Sequence, residues 1–400
     1  MRNSVRLTLQ ASKGSSLLSL AALVILMYPR QKLFFFLRVS VILINFAATF
    51  SALYMIHAYQ TPWTVLLLPF YYFILLPILE FCVGERTPVV SGTADDTSFS
   101  YLMYLQIVLH FALLVSVMFV AINIDMPVVW KLVFVASFGL VNGQCTLIGH
   151  EFAHKPGRFN QFMSKLSLSV VAMGHFMVEH LRGHHIMVAT PEDCASARIG
   201  ENIYSFALRD MKGEVCGGLR KEAERLKKKH TSWFSFENVI LQSYALSLVI
   251  VTGLVIWLGV SVLVWIVAHH LAAWFTLSII TYIEHYGILR VKLPNGKYEP
   301  VRAVHSWNTD MLLSNLSLLN VQRHSDHHAR PMEPYQSLQN LSAPHLPTGY
   351  FGMIALSLLP PLWFAVMDKR VLEAVGQDPA RVHRKRKDGY RISKLLDRIT

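Results

Sequence analysis

Charge is scarce in this sequence: Asp, Glu, Lys and Arg together make up 16% of its 400 residues, against 53% hydrophobic. Soluble domains carry about a quarter of their residues charged, so one or two water-soluble domains are excluded. Cysteine is scarcer still. The four present, Cys82, Cys145, Cys194 and Cys216, are scattered with no Cys-x-x-Cys pair, which excludes a disulfide framework or a thiolate-held iron–sulfur module on this chain. They read as reduced thiols. The net charge is +12, but no nucleic-acid fold signature accompanies it, and no nucleic-acid partner is expected. There is no solenoid-type repeat and no extended low-complexity tract.

Long apolar runs take the place of charge. A bilayer core roughly 30 Å thick needs about 20 apolar residues of helix, and six runs qualify: 33–57, 62–81, 101–122, 127–149, 238–259 and 261–284. The expected fold is all-α, a polytopic membrane protein with six transmembrane helices. The second span starts after Thr61-Pro62, proline being tolerated in a first helical turn. An earlier run at 17–28 is short and no small-x-small cleavage pattern follows it, so it reads as an uncleaved interfacial segment. The chain thus divides into an N-terminal cytoplasmic or interfacial segment (1–32), spans one to four (33–149), a polar region (150–237), spans five and six (238–284), and a second polar region with a basic tail (285–400). Within the polar regions, 162–178 reads as a helix docked under the bundle. The patch at 350–366, broken by Pro360-Pro361, reads as lying along the membrane surface.

Of the Lys and Arg residues, 13 fall in 150–237 and 16 in 285–400; Arg86 and Lys131 stand alone, and the loops at 58–61, 123–126 and near 260 carry none. The positive-inside bias then puts both termini and both polar regions in the cytoplasm. The run from Arg381 to Lys387 reads as a solvated tail near anionic lipid.

Histidines gather on that same side. His150-Glu151-Phe152-Ala153-His154 closes span four, His180-Leu181-Arg182-Gly183-His184-His185 follows, Glu284-His285 closes span six, and His324-Ser325-Asp326-His327-His328 lies beyond it. Residues three or four apart share a helix face, so His150 with His154, His180 with His184, and His324 with His327 and His328 can each point at one ion. A lone histidine is ordinarily a polar residue of intermediate burial. Clusters at helical spacing on one membrane face point to metal instead. The first cluster also fits His-Glu-x-x-His, with Glu151 as the general base of a zinc protease. Catalytic zinc takes three protein ligands, however, and nine imidazoles are too many for one such ion. Two ions with four or five nitrogens each use them all, in a cytoplasmic histidine-rich di-metal cap. Glu151, Glu179, Glu284 and Asp326 are placed to receive the second ring N–H of a ligating imidazole. His269 and His270 precede His285 by 15–16 residues, about 22–24 Å of helix, and read as hydrogen-bonded within the bundle or placed near the outer interface. Of the remaining histidines, read as non-ligands, His175 and His305 lie nearest the clusters.

These residues resemble a known family. His150 to Lys155, Glu179 to His185, Tyr282-Ile283-Glu284-His285-Tyr286-Gly287 and Gln322 to Ala329 look like the integral-membrane alkane 1-monooxygenases, within the histidine-rich membrane desaturase and hydroxylase superfamily. The likeness covers most of 140–367 and includes Asn202 to Phe206, His305-Ser306-Trp307-Asn308 and Leu346-Pro347-Thr348-Gly349-Tyr350. It implies a non-haem di-iron centre of two irons on His150, His154, His180, His184, His185, His285, His324, His327 and His328. It further implies O2 as co-substrate, rubredoxin (with a rubredoxin reductase upstream) as electron donor, a medium- or long-chain n-alkane as substrate, a primary alcohol as product, and a multi-pass place in a bacterial inner membrane. Thr281, Asp310 and Glu333-Pro334 depart from the family's pattern, which bears on the surroundings of the ligands and on substrate choice.

An unfunctionalised chain offers no charge or hydrogen bond, so its selection rests on the shape of an apolar tunnel fed from the bilayer. Tyr71, Tyr72 and Phe73, midway along span two, are candidates to close the tunnel's far end; plain helix packing explains them equally well. The basic residues Arg220, Lys221 and Lys227 to Lys229 suit an acidic redox partner. The rival readings are a related hydroxylase or desaturase acting on a fatty acyl or alkyl-aromatic chain, a membrane zinc protease, and a metal transporter, whose histidines would cross the membrane.

Overall fold

A computed structural model describes residues 30–85 and 96–384. The segment at 17–28, Arg86, and Lys385, Arg386 and Lys387 of the basic run lie outside the described residues. In chain order come α1 (Arg30–Tyr59), α2 (Pro62–Val83), α3 (Asp96–Asn123) and α4 (Val128–His154), the last interrupted at Gly143-Gln144. Then follow α5 (Arg158–Ser169), the short α6, built from Phe176–Glu179, His180–His184 and His185–Met187, and α7 (Ile203–Lys228). After α8 (Val239–Leu258) and α9 (Val262–Glu284) come the cap helices α10 (Leu312–Ser317), α11 (His324–Ala329), α12 (Tyr350–Ser357) and α13 (Pro360–Ala374). Extended pairing among the described residues is limited to isolated bridges.

The protein is an all-α polytopic membrane protein. Six helices, α1 to α4, α8 and α9, are long and apolar enough to cross a bilayer. Spans three and four run further than expected at the histidine end, because Thr97 to Ser100 and His150 to His154 continue the helix with residues too polar to count as bilayer-facing. One other expectation changes. The stretch 162–178 is not one helix: α5 ends at Ser169, and a turn at 170–175 separates it from Phe176. In the patch at 350–366, α12 packs against α2 and α9 and buries Tyr350, Phe351 and Met353.

With no hydrophobic drive between helices in lipid, close backbone approach and hydrogen bonds hold a bundle together. At the crossing of α4 and α9, Gly139 sits against the His269 carbonyl and Gly143 against Thr276, where an added Cβ would meet the Thr276 Cβ at 2.6 Å. Thr276 Oγ1 donates to the Leu140 carbonyl across this seam, 2.9 Å. Beside it, Asn142 joins His110 (2.9 Å) to His269 (3.0 Å), and His269 meets His270 (3.1 Å). The two histidines are therefore hydrogen-bonded within the bundle, one of the two placements the sequence suggested. On the other side, α1 reaches the cap through Arg38, which donates to Asn320 Oδ1 (2.8 Å) and lies over the Phe34 and Tyr335 rings, and through Asn45, which donates to Ser317 Oγ.

Gly143→Leu forces these two helices apart; overpacking of this kind costs about 1–3 kcal/mol, and the detergent-solubilised protein is expected to lose several degrees of Tm. Gly253→Leu, on α8 with nothing within 4 Å of its Cβ position, is the control and leaves Tm unchanged. Equal Tm for both variants would remove the seam from the account.

Candidate metal centre

The bundle delivers the histidines to one end. His150 and His154 lie in the last turns of α4, His285 follows α9, and α6 and α11 bring the rest. They fall into two groups, each of whose ligand nitrogens lie within 4.8 Å of one another: His150, His154, His180, His185 and His327 in one, His184, His285, His324 and His328 in the other. All nine are buried except His185, which is half-buried. The pairing of His150 with His154 follows their helical spacing, as does that of His324 with His328.

The other spacings mislead. His180 and His184 go to different groups, because His180–His184 is a π turn. Its i→i+5 hydrogen bonding sets His185, not His184, against His180, with the two Nε2 atoms 2.8 Å apart. His327 likewise leaves His324 and His328 and joins the five-histidine group, 2.9 Å from His150 Nε2 and 3.1 Å from His185 Nε2. The π turn and α11 thus each supply both groups, and hold them side by side.

The chemistry of these contacts fits a cation. A neutral imidazole has one N–H and one lone pair, yet His327 Nε2 faces two other Nε2 atoms, and so does His324 Nε2, 2.9 Å from those of His285 and His328. Protons cannot satisfy both meetings at once. His154 Nε2 is buried with no hydrogen-bond partner. Burial, then the neighbouring imidazoles His184 and His154, pushes His185 down to about 2; burial and adjacent rings likewise hold His180, His327 and His328 well below the usual histidine range. Neutral rings with converging lone pairs are metal ligands in waiting, and an all-imidazole set suits iron, copper, nickel or zinc.

The carboxylates divide less evenly. Glu284 Oε1 lies 3.3 Å from His324 Nδ1, in contact with the ring but without a hydrogen bond to it. His184 Nδ1 is met by a residue the sequence did not single out, Asp193, at 3.1 Å. Burial opposes charge on both, but each favours the other's charged form: His184 is shifted upward and Asp193 downward. No spacing signal marks Asp193, which arrives through the turns at 188–194. Asp326 is a correction. One residue from His327 it diverges around the helix, and its carboxylate is occupied by Arg330 (2.8 and 2.6 Å) and the Gln339 N–H (2.7 Å). Glu151 accepts the Tyr335 N–H at 3.3 Å and lies 3.7 Å from Lys155; it does not line the metal-side chamber, as a protease base must. Glu179 takes Lys221 at 3.0 Å. His175 bonds Tyr244 and His305 bonds Glu299, so neither joins a group.

That chamber is lined by His150, His180, His184, His324, Phe176, Leu277 and Ile280, with Glu179, Glu214, Thr281 and Glu284. Ile280 is also part of the wall of an apolar cavity between the helices, bounded by Leu68, Tyr72, Phe73, Leu140, Ile279, Leu318, Phe351 and Ile354. Two of the three aromatic residues picked out on span two therefore face this cavity. Tyr71 does not: its hydroxyl donates to Asn45 Oδ1 at 2.7 Å.

The chain is similar to known proteins. The fatty acid desaturase family model matches residues 127–356, more than half of the chain. Alkane 1-monooxygenase 1 of Alcanivorax borkumensis is 40% identical over 324 residues, 78% of this chain and 80% of its own length. The chain belongs to the alkane 1-monooxygenase family. The alkane 1-monooxygenase of Ectopseudomonas oleovorans is 38% identical over 312 residues, covering 76% and 77% of the two chains. Membership in the alkane 1-monooxygenase family makes the histidine assembly a metal centre of a membrane oxidoreductase, and sets aside the protease and transporter readings.

An outer carboxylate that accepts a ligand's N–H typically changes metal affinity about 10- to 100-fold. Asp193→Asn is accordingly expected to weaken one of two metal equivalents by about that factor in a metal titration of chelator-treated protein. Two unchanged equivalents would show that the Asp193–His184 contact does nothing for the metal.

Proposed function

We propose that this protein hydroxylates the terminal carbon of medium- and long-chain n-alkanes to primary alcohols, at two non-haem irons, with O2 as co-substrate and electrons from rubredoxin. The observation that carries the reading is the adjacency of an apolar cavity within the bundle and a chamber walled by imidazoles, Ile280 lining both. His150, His154, His180, His185 and His327 hold one iron, and His184, His285, His324 and His328 the other. The reaction balances as alkane, O2, two electrons and two protons giving alcohol and water. When bound, the iron pair supplies the O2 activation that breaks the terminal C–H bond.

The rest is the work of the chain's own residues. Leu140, Ile279, Leu318 and Ile354 give the alkane a largely apolar wall, in which Ser137, Gln144 and Thr276 are the polar members, and Tyr72 and Phe73 limit how far from the chamber it extends. Ordering one chain end at the metals is positioning catalysis, which can remove a large part of a barrier. Asp193 and Glu284 lie against two imidazoles at their outer nitrogens. The basic end of α7, with Lys227, Lys228 and Lys229, faces an acidic carrier on the cytoplasmic side of a bacterial inner membrane, and both termini lie on that side.

The decisive assay supplies a series of n-alkanes, O2, rubredoxin and its reductase to the purified protein and separates the products by chromatography. Primary alcohols support the proposal; internal alcohols, alkenes or no product reject it. Tyr72→Ala lengthens the cavity and is expected to shift the preferred alkane to longer chains. An unchanged chain-length profile would place Tyr72 outside the substrate's path.

A further inference from the structure

The stretch Leu346 to Tyr350 and a carboxylate inside the membrane are not used by the mechanism above, yet they meet. Glu80 stands near the histidine-side end of α2 and is fully buried. A lone carboxylate in such a place is costly unless its oxygens are taken up. They are: Oε1 accepts the Ser314 N–H at 3.1 Å and Oε2 the Gly352 N–H at 3.4 Å. The carboxylate is pressed so closely on Gly349 that any side chain there would collide with it. Only glycine admits this contact. Glu80 therefore seats the start of α12, where unpaired N–H groups favour an anion.

From that point a path of hydrogen bonds leads to Glu284, beside the histidines. Ser314, held by Glu80, accepts the Tyr350 N–H at 2.9 Å. Tyr350, fully buried, donates its hydroxyl to Glu284 Oε1 at 2.8 Å, and this same oxygen lies 3.3 Å from His324 Nδ1. The helices at the two ends of the path also share the apolar cavity, with Tyr72 and Phe73 on α2 and Phe351 and Ile354 on α12.

We propose that Tyr350 and Glu80 are positioning residues for the four-histidine group: Glu80 seats α12, α12 holds Tyr350, and Tyr350 keeps the Glu284 carboxylate on His324. The wall of the substrate cavity and the carboxylate set against one metal ligand are thereby built on a single scaffold. The proposal rests on the nine-histidine reading given above. Loss of Tyr350 frees Glu284 to turn away, and the metal at His184, His285, His324 and His328 is the one that weakens.

The test is a cobalt(II) titration of metal-free protein in lipid nanodiscs, followed by visible absorption. Two binding steps in the unmodified protein are the prerequisite; one step or none would contradict the nine-histidine reading itself. Given two, Tyr350→Phe is expected to weaken one step by about tenfold or more and leave the other, with Tm unchanged. Glu80→Leu is expected to weaken the same step although Glu80 touches no histidine, and Glu80→Gln, which keeps one acceptor oxygen, to weaken it less. The double variant Glu80→Leu with Tyr350→Phe should be no worse than the stronger single, since residues on one path are not additive. Tyr71→Phe, which removes another tyrosine hydrogen bond from α2, should move neither step. If Tyr350→Phe does not accumulate in the membrane, Glu284→Gln reads the same contact from its other side. Both steps unchanged, both weakened together, or additive losses would overturn the proposal.

Discussion

Everything in this protein depends on neutral imidazoles being held with their lone pairs facing one another. Nε2 atoms meet at 2.8 to 3.1 Å in both groups, an arrangement that one proton per ring cannot satisfy and that a cation at each focus can. Such a site has to be held by structure outside it. The α4–α9 seam at Gly139 and Gly143 fixes the helix that carries His150 and His154 against the helix that ends at His285. The π turn in α6 and the single turn of α11 bring the remaining six into two foci instead of one. Asp193 and Glu284 lie behind two of the rings, both in the four-histidine group.

The imidazole chamber and the apolar cavity inside the bundle are neighbours, with Ile280 in the wall of each. On the proposed function, a hydrocarbon held in that cavity lies beside the metals. Several polar groups within the spans are used to tie helices together. The His110–Asn142–His269–His270 chain ties three helices together, Arg38 and Asn45 bind α1 to the cap, and Glu80 is spent on the start of α12. None of them adds charge to the cavity wall.

Much of this was legible in the sequence, and the parts that were not have physical reasons. The six spans are visible because bilayer thickness demands long apolar runs, and the nine histidines because three clusters and His285 recur at the ends of those runs. The allotment of His180 and His184 to different groups was hidden: α-helical spacing puts them on one face, and nothing in His180 to His185 announces a π turn. His327 was misplaced with His324 and His328 because one short helix lies between both foci. Asp193 has no spacing relation to the ligand it orients, since loop geometry brings it there. Asp326 suited the orienting of a ligand from another helix, but Arg330 and the Gln339 N–H occupy its carboxylate, contacts that its spacing does not announce. Tyr72 and Phe73 were found on the cavity and Tyr71 was not, a distinction of helix face that an aromatic run cannot convey.

The central claim is that the two histidine groups are two metal sites and that both take iron. The direct measurement is metal content per chain, by mass spectrometry, in protein purified anaerobically from iron-replete cells. Two irons per chain is the predicted result. One iron per chain, or zinc in place of iron, would contradict it.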